Sequence, residues 1–147
     1  MSITSTAGIF SALEVAGSGL TAERSRMNVI ASNLANARTT RGADGEAYRR
    51  LDPVFESRTM NPNSFDPVLR SVRSVNLRQV VPDQEPGQLV YDPEHPDADG
   101  TGYVEFPNVN VVTEMVNLMT ASRAYEAGVT SIESIKGMAQ AALRIGR

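Results

Sequence analysis

The sequence contains no cysteine. Disulfides, thiolate zinc sites and cysteine nucleophiles are therefore excluded. No apolar run approaches the roughly 20 residues needed to span a bilayer, so no membrane insertion is expected. The first residues, MSITSTAGIFSALEVAGSGL, have no positively charged segment ahead of their apolar positions and do not read as a cleavable signal. On that reading alone the chain is cytoplasmic, and any export would need a route without signal cleavage. Acids and bases are mixed along the chain and the net charge is −3, which gives no reason to expect nucleic acid as a partner. Neither G-x-G-x-x-G nor G-x-x-x-x-G-K-[ST] occurs, and no serine sits in a G-x-S-x-G context.

Proline is missing from both ends. All eight prolines lie between Pro53 and Pro107, so residues 1–52 and 108–147 are free to be helical while the middle is not. In the first segment Ile9, Leu13, Ala16, Leu20, Met27, Ile30, Leu34 and Ala37 follow alternating steps of three and four, with Glu23 the only interruption. That is the stripe of a helix packed along one face. Ser5 or Thr6 can cap its start, and Gly17 and Gly19 are weak points. The second segment repeats the design. Val111, Met115, Leu118, Ser122, Tyr125, Val129, Ile132, Ala139 and Leu143 share a seam on which Lys136 is the odd member. Asn108 or Asn110 can cap this helix, and Gly146 suits its far end.

Both helices carry apolar residues off these seams, among them Phe10 and Val29 in the first and Val112, Val116, Met119 and Met138 in the second. A two-helix hairpin buries one face of each helix, so the surplus predicts further helical neighbours from other chains. The expected fold class is α+β. Long terminal helices, 1–38 and 108–147, pair as a discontinuous coiled-coil core, and a loop-rich middle, 39–107, carries short strands. TTRGADGEA, residues 39–47, reads as a loop. Strands are expected within AYRRLDPVFE, in SVRSVNLRQVV (residues 71–81) and in GYVEF (residues 102–106).

One stretch invites a chemical reading. DPEHPDADG, residues 92–100, holds four acids and the only histidine. A calcium loop fails, because placing Asp97, Asp99 and Gly100 in register puts His95 at position 1 and Phe106 at position 12. A zinc or iron site would need Asp92, His95, Asp97 and Asp99 to converge, against the stiffness of Pro93 and Pro96. The simpler expectation is a proline-ordered loop whose aspartates bond nearby backbone amides; a metal-binding module centred on His95 is the alternative. No catalytic, cofactor or metal residue is assigned. Asn33 and Asn36, with Asn28, are unusual in a helix interior. Their amides either help end the helix near Arg38 or bond across a helix–helix interface and fix its register, and the second is the expectation.

Two stretches carry a family resemblance. MNVIASNLANA, residues 27–37, resembles the N-terminal signature of the axial proteins of the bacterial flagellum, the rod, hook and hook-associated proteins. NVNVVTEMVNLMTASRAYEAGV, residues 108–129, is similar to their C-terminal signature. VYDPEHPDADGTGYVEFPNVN, residues 90–110, narrows the resemblance to the proximal rod. Two positions depart from the pattern: Arg38 where the group usually has Asn, and Gly128 where Asn usually follows Tyr-Glu-Ala. The resemblance implies a coiled-coil core of paired terminal helices and assembly with copies of itself. It also implies contact with proximal and distal rod subunits and the MS-ring/rod adaptor. The product would be a hollow, torque-transmitting shaft in the periplasm, reached by flagellar type III export without signal cleavage. The assembly residues expected from the seams are Ile9, Leu13, Leu20, Met27, Ile30, Asn33, Leu34 and Asn36 in the first helix. In the second they are Met115, Leu118, Tyr125, Val129 and Ile132.

Overall fold

In the computed structural model, which describes residues 3–63 and 65–145 and the side chains of 8–144 other than those of 64 and 68, the proline-free ends are both helical. The order is α1 (Ile3–Ala35), β1 (Leu51–Thr59), α2 (Pro67–Ser71), β2 (Arg73–Pro82), β3 (Gln88–Tyr91), β4 (Tyr103–Phe106) and α3 (Val111–Ile145). The class is α+β. Leu20 lies against Gly128 and Asn33 against Glu114, so the two long helices run antiparallel. At 1.5 Å per residue each is about 50 Å long. No described helix is long and apolar enough to cross a membrane.

Helix ends differ from expectation in ways the hydrogen bonds explain. α1 already runs from Ile3, so Ser5 and Thr6 are inside it, and Gly146 lies outside the described residues. α1 stops at Ala35, ahead of Ala37. Asn36 Nδ2 donates to Ser32 O at 2.9 Å and its Oδ1 accepts from Thr39 Oγ1 at 3.2 Å, so this side chain terminates the helix. At α3, Asn110 is the cap: its Oδ1 accepts the Thr113 amide at 3.0 Å. Asn108 instead accepts the Arg50 amide.

The stripe read on α1 is the buried one, from Ile9 to Leu34, with Glu23 included in it. On α3 the buried or half-buried row is Glu114, Leu118, Ala121, Tyr125, Gly128, Ile132, Ile135, Ala139 and Ala142. Leu118, Tyr125, Ile132 and Ala139 are where the sequence pattern puts them. Met115, Val129, Lys136 and Leu143 each lie one residue past the member that turns toward α1, and all four are exposed. Ala121 is fully buried at this crossing. Gly128 allows the close approach, since a Cβ there would sit 2.7 Å from Leu20 Cδ2. We predict that Gly128→Leu destabilises the chain by about 1–3 kcal/mol through overpacking, read as a lower urea midpoint with unchanged slope.

The middle segment holds two antiparallel two-stranded ribbons, β1–β2 and β3–β4. β1 pairs from Leu51↔Pro82 to Thr59↔Arg73, with Arg78 extruded as a bulge opposite Val54/Phe55. β3, which the sequence pattern does not show, pairs with β4 from Gln88↔Phe106 to Tyr91↔Tyr103. The short helix α2 was likewise not expected. The β1–β2 ribbon packs on α1, where Ser18 Oγ accepts the Val75 amide at 3.1 Å.

Candidate assembly surface

The surface of this chain follows from what the middle segment covers and what it leaves open. Its attachment begins at Asn33, which is 1% exposed. Asn33 Nδ2 donates to Leu51 O at 2.9 Å and the Leu51 amide donates to Asn33 Oδ1 at 2.8 Å. The side-chain amide thus stands in for a neighbouring strand at the first residue of β1. Tyr48 OH donates to the same Oδ1 at 2.9 Å. Nδ2 also reaches Glu114 Oε2 on α3 at 3.5 Å.

Glu114 is 1% exposed and is held by Arg50, whose Nε donates to Oε1 at 2.9 Å. A buried carboxylate needs such a partner, because an unpaired one costs several kcal/mol. Arg50 Nη1 goes on to Asp52 at 2.8 Å and Asp83 at 3.4 Å. The Arg50 amide donates to Asn108 Oδ1 at 2.9 Å, and Arg50 O accepts the Asp83 amide at 2.7 Å. The hydrogen bond to Glu114 raises the guanidinium pKa further, so Arg50 stays charged. One polar node therefore joins α1, the start of β1, the end of β2 and the first turn of α3. Asn33 is marked in the sequence as an asparagine beside an apolar stripe, and Asn108 only as a possible helix cap. Arg50, Asp83, Asn108 and Glu114 are separated along the chain and carry no shared spacing. Of the two readings of the asparagines, Asn33 follows the cross-element one and Asn36 the helix-ending one; Asn28 is exposed.

The 92–100 loop is ordered by its own backbone. Asp99 Oδ1 accepts the amides of Thr101 at 2.8 Å and Tyr103 at 2.9 Å and the Thr101 hydroxyl at 2.7 Å. Asp97 Oδ2 accepts from Thr40 Oγ1 at 2.8 Å, tying the loop to the segment after α1. His95 Nδ1 accepts the Asp97 amide at 3.1 Å. These side chains are committed elsewhere, and among the described residues no group of three His, Asp or Glu could hold a metal ion. The alternative of a metal module centred on His95 therefore has no ligand set among the described residues.

The Thr101 hydroxyl, and then the backbone amides, lower the Asp99 pKa below the usual carboxylate value. The Glu85 amide, ahead of Arg50, lowers that of Asp83. A depressed folded-state pKa stabilises above the unfolded value, about 3.9 for Asp, and that contribution is lost as pH falls through the folded-state value. We predict that the Thr101 and Tyr103 amides exchange with solvent faster, relative to the helices, as pH drops below about 3.9. Equal protection across that range would contradict it.

Apolar side chains stay open on both ribbons, Leu89 and Tyr91 among them, and along one side of α3. Val112, Met115, Val116 and Met119 are 71%, 50%, 52% and 55% exposed. They form a contiguous apolar flank beside the row that faces α1. Phe10, Met138 and Leu143 are exposed along the rest of the hairpin. The chain presents 10316 Å² of surface in all, where a compact monomer of 15.8 kDa presents about 7,300 Å². Ile9, Leu13, Leu20, Met27, Ile30, Leu34, Leu118, Tyr125 and Ile132 are buried or half-buried, while Met115 and Val129 are exposed.

Long paired helices with an uncovered apolar flank describe an assembly subunit, and comparison with known proteins says of which kind. Residues 13–43 match the family "Flagella basal body rod protein", and residues 101–145 match "Flagellar basal body rod FlgEFG protein C-terminal". Those two matches cover more than half of the chain and place it among the flagellar basal-body rod proteins. Whole-chain relatives narrow the class. The flagellar basal-body rod protein FlgC of Borreliella burgdorferi is 45% identical over 148 residues, 94% of this chain and 97% of its own length. FlgC of Bacillus subtilis is 42% identical over 150 residues (94% and 98%), and that of an Escherichia coli O6:H1 strain 43% over 134 residues (91% and 95%). The chain belongs to the FlgC family of flagellar basal-body rod proteins and is a structural component of that rod.

Proposed function

We propose that residues 1–38 and 108–147 are the rod-forming core, and that the chain assembles through it with copies of itself and with other rod subunits into a hollow shaft. The single observation that carries this reading is the excess of exposed surface, which includes a contiguous apolar flank on α3. Burying one Val or Met side chain there contributes about 1.5–3 kcal/mol, so a few such residues drive association. Torque transmission, passage of export substrates through the lumen, contact with the MS-ring/rod adaptor and exit by type III export follow from the family and belong to the same proposal.

The polar node gives the shaft a reason to be rigid. It joins the middle segment to both long helices, so force on either helix reaches the ribbon without a hinge. The flank is the place to test assembly, since Ile30 is buried and a charge there would unfold the chain before assembly is read. Met119→Asp is expected to leave the thermal melt of the purified chain within about 0.5 kcal/mol of wild type, as a surface change. The same variant abolishes swimming and rod-bearing basal bodies when it is the only copy in the cell. Wild-type motility would contradict the proposal.

A further inference from the structure

Glu23 is the one charged residue in the α1 stripe, and it is not used by the polar node. It lines a cleft of about 400 Å³ with Arg26, Asn33, Arg50, Glu114 and Asn117. Its Oε2 is shielded from solvent and meets no hydrogen-bond donor. Arg50 is turned to Glu114, Asp52 and Asp83 and does not reach Oε2. Arg26 shares the cleft and does not reach Oε2. Pro53, Phe55 and Val75 supply an apolar wall. The cleft therefore combines an acceptor in need of a cationic donor with apolar surface in need of cover.

The open flank of α3 has the complementary composition. Arg123 lies two turns beyond Val116 on the same row, is exposed, and forms no ion pair among the described residues. We propose that the cleft over Glu23 receives Arg123 of a second copy of this chain, with Val116 and Met119 of that copy against Phe55 and Val75. The proposal rests on the rod reading and names its contact. Two different surfaces meet, so the contact is heterologous and propagates as an open array rather than closing into a dimer. An arginine suits the position because its planar donors bond a carboxylate in a fixed geometry.

The chain has no cysteine, which allows a direct test in basal bodies isolated from cells that express only the variant. Glu23→Cys combined with Arg123→Cys is expected to give covalent dimers and higher species on a denaturing gel after treatment with a bis-maleimide, whose reach suits an ion pair too long for a direct disulfide, while either substitution alone gives none beyond background. Glu23→Arg and Arg123→Glu should each cut the number of rod-bearing basal bodies at least about tenfold, and the two together should restore it to within about threefold of wild type. Glu23→Gln keeps the shape and removes the charge. Its purified chain should be at least as stable as wild type while its cells show the assembly defect. The proposal is overturned by an absence of crosslinks, by a double reversal as defective as the singles, or by a Glu23→Gln chain that loses stability, since Glu23 would then be satisfied within its own fold. The rod reading has its own control: deletion of the gene must remove the rod and the wild-type gene must restore it, whatever the variants do.

Discussion

Asn33→Ala is expected to lower the unfolding free energy by about 3–5 kcal/mol, a large share of the total for a domain of this size. The estimate follows from what the amide leaves behind. Leu51 N–H and C=O lose their partner together, and the Tyr48 hydroxyl loses its acceptor. Each buried polar group left unpaired costs about 1–3 kcal/mol. The loss has a place as well as a size. α1 and α3 keep their seam, so helical circular dichroism changes little, while the Leu51 amide and the β1–β2 ribbon lose protection in hydrogen exchange. An urea midpoint within error of wild type, or uniform loss of protection, would contradict this role for Asn33.

Arg50→Met should be about as severe, near 3–5 kcal/mol, because it strands Glu114. That carboxylate is 2% exposed in its side chain and has no other cation within reach of Oε1. Double replacement gives the sharper result. Arg50→Met with Glu114→Leu removes the stranded charge together with its partner, and is expected to recover at least about 1 kcal/mol relative to Arg50→Met alone. Additive losses would mean that the two residues act independently and that the node is not the joint between α3 and the middle segment.

The contrast between the two helices shows what a sequence pattern can carry. The α1 stripe is legible because nearly every member is apolar. On α3 the apolar steps select Met115 and Val129, while the structure turns Glu114 and Gly128 inward. Each of these has a tertiary reason: Glu114 is buried because Arg50 neutralises it, and Gly128 because Leu20 needs the space. Neither reason is periodic. Lys136 marks the slip, since the inward residue there is Ile135. Asn33 is visible as an amide beside an apolar stripe, but nothing in the spacing of its partners Tyr48, Leu51 and Glu114 links them to it. β3 is too short to show alternation. The loop at 92–100 reads correctly as aspartates capping backbone amides, which is local chemistry and therefore legible in the sequence.

The most direct test of the account is a cryo-EM map of basal bodies isolated from cells whose only copy of this protein is the wild-type chain. The account predicts density for the α1–α3 hairpin in the rod, with Val112, Met115, Val116 and Met119 covered by a neighbouring subunit. A map in which the chain is present and that flank faces solvent, or in which the chain is absent from the rod, would contradict it.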